Sequence, residues 1–67
     1  MKFSKKILEL RTQYGYTQIY VANQLGIKQS SYQKYETEKA RPEYENLVKL
    51  ARLYDVSVDY LLDNQDI

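Results

Sequence analysis

The chain has 67 residues, 43% of them hydrophobic and 28% charged, with a formal net charge of +1; this suits one small domain near the lower limit of a self-sufficient core. With neither cysteine nor histidine, disulfides, thiolate nucleophiles, histidine bases and the usual zinc sites are excluded, so no metal or other cofactor is expected. No apolar run approaches the roughly 20 residues that span a bilayer and no signal-peptide pattern opens the chain, so a cytoplasmic protein without membrane contact is the expectation.

Taken in order, Ser4 precedes an apolar stripe of Ile7, Leu10 and Tyr14, and Gly15 follows it. This predicts a first helix over 5–14, capped by Ser4. Thr17 is placed to cap a second helix over 18–25, and Gln18 then sits where first-turn N–H groups can hold a phosphate. Gly26 supplies the positive φ for a reversal, where a β-branched residue is poorly tolerated. A third helix is expected over 29–37. Val21, Ala22, Leu25, Ile27, Tyr32 and Tyr35 keep helical spacing on either side of Gly26, while Gln29, Ser30, Gln33 and Lys34 fall on another face. That is the layout of a helix-turn-helix, whose second helix offers amides and hydroxyls to base edges. The stretch 38–43 holds the only proline, Pro42, and reads as a loop. A fourth helix from about residue 44 carries Leu47, Leu50, Ala51 and Tyr54, with Asp55 standing where a glycine would usually end it. Ser57 caps a short fifth helix with Val58, Leu61 and Leu62. Without repeat, linker or low-complexity segment, residues 1–67 read as one all-α unit of five helices.

Charge is unevenly spread along this unit. Residues 1–42 carry eight Lys/Arg against three Glu, a net of +5, and residues 43–67 carry two against six acidic residues, a net of −4. Such polarisation turns the motif-bearing half toward phosphates and the other end away.

With these residues laid out, the chain resembles the phage Cro and repressor type of helix-turn-helix domain, the XRE family. The resemblance runs from about Ile7 to Leu62 through Leu10-Arg11, Thr17-Gln18, Val21-Ala22, Leu25-Gly26-Ile27, Tyr35-Glu36, Arg41-Pro42, Leu47, Leu50-Ala51, Val56-Ser57-Val58 and Leu61-Leu62. It implies a compact lambda-repressor-like fold of five helices and binding of double-stranded DNA at a pseudo-palindromic operator. It also implies a homodimer and a role as a transcriptional regulator, in the first instance a repressor. By the same resemblance Gln18 touches backbone phosphate and braces the recognition helix, Gln29, Ser30 and Lys34 read bases, Gln33 and Lys28 flank them, and Lys39 and Arg41 lie in a loop that approaches the backbone. Arg11 is implied to pair with Glu36 between helices. Lys28 stands where the family often has a Ser or Thr cap, and Glu38 replaces a common glycine, so a strained or reshaped turn is expected there.

Blander readings compete. The polar face of the third helix is by itself an ordinary solvated surface, and only the motif context turns it into a reader. The eight tyrosines suggest base stacking on single strands, but Tyr16, Tyr32 and Tyr35 match core positions of the family, leaving Tyr14, Tyr20 and Tyr44 as exposed candidates, the latter two for a phosphate contact. Leu53, Leu62 and Ile67 are helix edges or a self-association surface, and a monomer that pairs only on DNA is the rival to a dimer through the fifth helix. The alternative functions are a protein–protein interaction module on the same fold and an antitoxin that represses its own promoter. No catalytic residues are expected, since nothing pairs a nucleophile with a base, and no small-molecule substrate is evident.

Overall fold

A computed structural model describes residues 2–62, with side chains from residue 3 onward. It contains five helices, α1 (Lys2–Tyr14), α2 (Gln18–Leu25), α3 (Gln29–Glu36), α4 (Tyr44–Leu53) and α5 (Val58–Leu62), and no strand among the described residues. Each contributes a narrow apolar stripe to one buried cluster. The stripe is Phe3, Ile7 and Leu10 from α1, Val21, Ala22 and Leu25 from α2, Tyr32 and Tyr35 from α3, Leu50 and Ala51 from α4 with Tyr54 just beyond it, and Leu61 from α5. Intervals of three and four residues put these side chains on single faces. α3 packs on α1 and α2, α4 on α2 and α5, and α5 returns to α1. No helix among the described residues is long and apolar enough to cross a membrane.

The first helix departs from expectation. It begins at Lys2, so Ser4 lies inside it, buried, and does not cap it. The physical reason is Phe3: it sits four residues before Ile7 on the same face, and burying its ring extends the helix past the local capping signal. Helix α3 stops at Glu36, with Thr37 as its C-terminal cap rather than its last residue. Ile67, with Asp63 and Asp66, lies outside the described residues.

The first four helices end by one device. After each comes a residue of positive φ, Gly15 (72°), Gly26 (74°), Glu38 (67°) and Asp55 (54°). The next residue then donates its N–H back to a carbonyl five positions earlier: Tyr16 to Arg11, Ile27 to Ala22, Lys39 to Lys34 and Val56 to Ala51, at 2.9–3.0 Å. This is the Schellman arrangement, in which the left-handed residue lets the chain fold back onto its own open carbonyls. Tyr16, Ile27 and Val56 then pack on the core, completing the hydrophobic contact that accompanies the motif. Glu38 does what a glycine does elsewhere, at a side-chain strain cost of about 1–2 kcal/mol.

Tyrosines join the corner of α1, α2 and α4. Tyr14 and Tyr54 meet edge to face at 5.2 Å, and Tyr16 lies 4.5 Å from Tyr20 and 6.1 Å from Tyr54. The Tyr14 hydroxyl donates to the Tyr54 carbonyl at 2.9 Å. Tyr14 and Tyr20 stay 45% and 41% exposed despite these contacts, as expected, and Tyr44, at 78%, is the aromatic side chain that solvent reaches most freely among the described residues.

Tyr54 itself is 1% exposed, and its hydroxyl finds no hydrogen-bond partner. Burial pushes that phenol up to about 12, so it stays neutral while carrying the desolvation cost of an unpaired polar group. Tyr54→Phe is therefore expected to leave stability unchanged or raise it by about 1 kcal/mol. Thermal unfolding followed by circular dichroism checks this, and a clear drop in melting temperature would show that the hydroxyl is satisfied after all.

Candidate functional site

Thr17 is held in extended backbone, and its Oγ1 accepts the N–H of Tyr20 at 3.0 Å, which fixes where α2 begins. The turn of residues 26–28 is tied at Gly26 and anchored by the half-buried Ile27. Lys28 opens α3 without a side-chain cap, and its carbonyl instead accepts from Ser31 and Tyr32 at 3.0 and 3.1 Å. A cation is unfavourable at a helix N-terminus, and Lys28 is exposed and free to extend away from it.

On the outer face of α3, Gln29, Ser30, Gln33 and Lys34 are all exposed while Tyr32 and Tyr35 point into the core. Ser30, Gln33 and Lys34, together with Thr37 and Lys39, line a shallow open hollow of about 190 Å³. Thr37 is an addition to the residues singled out from sequence. Its hydroxyl donates back to the Gln33 carbonyl at 3.1 Å. Lys39 is drawn in because the Lys34 carbonyl accepts both Lys39 and Ala40 N–H groups. Arg41, also exposed, is not part of this group: it borders a separate hollow with Phe3, Pro42, Leu47 and Leu62 on the α1 and α5 side.

Behind this face lies a hydrogen-bonded hub centred on the Glu36 carboxylate. Oε2 accepts from Arg11 Nε at 2.6 Å and from the Tyr32 hydroxyl at 2.5 Å, and Oε1 accepts from an Arg11 terminal nitrogen at 3.1 Å and from Gln18 Nε2 at 2.9 Å. Arg11 also donates to the Tyr16 carbonyl at 3.1 Å. Gln18 passes the connection outward, its Oε1 accepting from Gln29 Nε2 at 2.7 Å. Burial alone would raise the Glu36 carboxyl, but hydrogen bonds from Arg11, Tyr32 and Gln18 outweigh it and hold the group below its ordinary value. The hydrogen bond to Glu36 raises Arg11 against its own desolvation. Burial and then the bond to Glu36 raise the Tyr32 phenol. At neutral pH the hub is thus an ionised acceptor surrounded by donors, and its charge does not reach solvent as a bare carboxylate: the Glu36 side chain is 5% exposed.

Tyr32 escaped notice from the sequence as a member of the hub. Its signal was the four-residue interval to Glu36, which stacks the two side chains on one helix face.

What this surface presents outward is chemically simple. One amide oxygen and one amide hydrogen of Gln29, the Ser30 hydroxyl, the Gln33 amide and the Lys34 ammonium are available as donors and acceptors, on a helix whose width fits a DNA major groove. Lys28 and Lys39 supply exposed cations beside it, and Arg41 offers another outside the group.

Residues 7–61 match the model of the helix-turn-helix family. The chain is 44% identical over 64 residues to the uncharacterized HTH-type transcriptional regulator YobD of Bacillus subtilis, covering 96% of this chain and 57% of that protein. It is 37% identical to the HTH-type transcriptional regulator ImmR of the same organism, over 100% of this chain and 53% of the relative. To the cryptic phage CTXphi transcriptional repressor RstR of Vibrio cholerae it is 38% identical, over 91% of this chain and 54% of the relative. The chain therefore spans a little over half the length of these relatives. No solved structure matches it significantly.

Proposed function

Because the chain belongs to the helix-turn-helix family, of the Cro/C1 (XRE) type, we propose that it binds double-stranded DNA sequence-specifically and regulates transcription as a repressor. The observation that carries this reading is the outer face of α3: Gln29, Ser30, Gln33 and Lys34 are exposed together, and Gln29 is braced by Gln18 at the start of α2. In this reading α3 enters the major groove, where Gln29, Ser30 and Lys34 meet base edges and Gln33 and Lys28 flank them. Thr17, Gln18 and the first-turn N–H groups of α2 hold a phosphate, and Lys39 and Arg41 contact the backbone beyond. The repressor role draws on the name of RstR, and regulation of transcription on all three relatives.

A domain of this size reads few base pairs, so useful specificity calls for two copies on a pseudo-palindromic operator with half-sites about 34 Å apart. The exposed Leu62 supports a homodimer through α5.

The test uses duplexes enriched from a random pool by the chain itself, with salt titrations. Affinity is expected to fall steeply with salt, and Lys34→Ala is expected to relax the preference at the base pair it meets, at about 1–3 kcal/mol. Gln29→Ala is expected to cost about 1–3 kcal/mol of discrimination at one base pair of each half-site. Unchanged affinity and preference in both variants would remove α3 from the interface.

A further inference from the structure

An ionised carboxylate offers about four lone-pair positions, and at Glu36 four donors occupy them: Arg11 through two nitrogens, Tyr32 through its hydroxyl and Gln18 through its amide nitrogen. A carboxylate only accepts, so whichever end of the Gln18 amide faces it must be the nitrogen. The carbonyl end of Gln18 is thereby turned outward, and Gln29 meets it with an N–H rather than with its own carbonyl. The polarity of the exposed amide is thus set by a charge buried behind it.

Within this chain of bonds, Tyr32 is the member with no outward role. Its ring is 0% exposed and fills the core between α3 and its neighbours, yet its hydroxyl is placed on Glu36 Oε2. Arg11 alone leaves a carboxylate free to tilt about its paired axis. A second donor on Oε2, carried by a ring enclosed in the core, restrains that tilt while Oε1 accepts from Gln18.

We infer that the Tyr32 hydroxyl is a positioning group for base recognition: by fixing the Glu36 carboxylate it fixes the outward end of Gln18, and so determines which groups of Gln29 are left to face a base. This rests on the base-reading role proposed above for Gln29. Tyr32 touches no DNA and contributes through Glu36 and Gln18. The neighbouring Tyr35 provides an internal control. It is likewise buried on α3, but its hydroxyl accepts from Asn46 at 3.2 Å on α4, away from the hub.

The experiment compares Tyr32→Phe, Tyr35→Phe and Gln29→Ala in the 67-residue chain. In the free protein, nuclear magnetic resonance follows the side-chain amides of Gln18 and Gln29 and the titration of the Glu36 carboxyl. On DNA, the readout is the affinity ratio between an enriched duplex and its single-base-pair variants. Tyr32→Phe is expected to shift both amides, raise the Glu36 titration toward its ordinary value, and reduce discrimination at the Gln29 base pair about three- to tenfold, the worth of one hydrogen bond. Affinity for unrelated duplex should stay within about twofold, because the phosphate contacts remain. Tyr35→Phe should change none of these. Equal losses in both tyrosine variants would mean that either hydroxyl merely supports the core, and would overturn the inference. So would unmoved Gln18 and Gln29 amides in Tyr32→Phe, or intact discrimination in a background where Gln29→Ala abolishes it. If Gln29→Ala itself leaves discrimination untouched, the base-reading role is what fails, and the free-protein measurements still decide whether Tyr32 orients Gln18.

Discussion

Arg11→Ala is expected to unfold the domain, and not simply to weaken a surface contact. The Arg11 and Glu36 side chains are 18% and 5% exposed, and their two-pronged pairing connects α1 to α3 across 25 residues. A partly buried pair of this kind adds little over apolar packing, but removing one partner leaves the other charge desolvated, at about 3–5 kcal/mol. A single core of this size holds roughly that much stability in total. Chemical denaturation should therefore find Arg11→Ala largely unfolded before denaturant is added. Arg11→Met combined with Glu36→Gln, which removes both charges and keeps most of the volume, should recover much of the loss; failure to recover would mean that the guanidinium matters for its hydrogen bonds, that to the Tyr16 carbonyl included, and not only for neutralising Glu36. The same hub gives a pH dependence. Glu36 titrates below its ordinary 4.5 in the folded state, so its stabilising contribution is complete above that value and disappears as pH falls through the lower folded one. The doubly neutral variant should lose less stability across that acid range.

Leu50→Ala ranks beside it. Leu50 is 0% exposed, on the face of α4 that carries the fourth helix onto the core. Truncating a side chain so enclosed removes its transfer free energy and leaves a cavity that helices on several sides cannot all close, at about 2–5 kcal/mol. Ile19→Ala, at 61% exposure on α2, should stay within about 0.5 kcal/mol. Paired urea titrations of the two variants check the contrast. If Leu50→Ala shifts the midpoint no more than Ile19→Ala, the buried cluster is not what holds α4 in place.

Much of this fold is legible from residue order, for reasons visible helix by helix. The bounds of α2 follow from Thr17 and Gly26 because a cap at each end coincides with the phase of Val21, Ala22 and Leu25, so local and tertiary signals agree. Asp55 and Ser57 are equally plain, one by its tolerance of positive φ and the other by a hydroxyl that accepts the Tyr60 N–H at 2.9 Å. Ser4 misleads because a cap contributes about 1 kcal/mol, whereas burying the Phe3 ring contributes about 1.5–3 kcal/mol. At Glu38 a missing glycine signals strain, and positive φ is found there. Of the candidate site, the outward set on α3 follows from helical phase. The inward set does not: which end of the Gln18 amide faces Glu36, and that the Tyr32 hydroxyl is spent on it, depend on how three helices meet. Arg41 stands apart from Lys39 for the same kind of reason, since two positions along an irregular loop carry no fixed phase.

The repeated Schellman ending bears on how quickly the chain finds its shape. Each reversal is written into a six-residue window, so each of the first four helices can terminate correctly before any remote partner arrives. Low contact order of this sort belongs to helical domains that refold in about microseconds to milliseconds. The guanidinium–carboxylate clasp closes a loop of 25 residues, and the return of α5 to α1 closes a longer one still, so both depend on reversals that are already set locally.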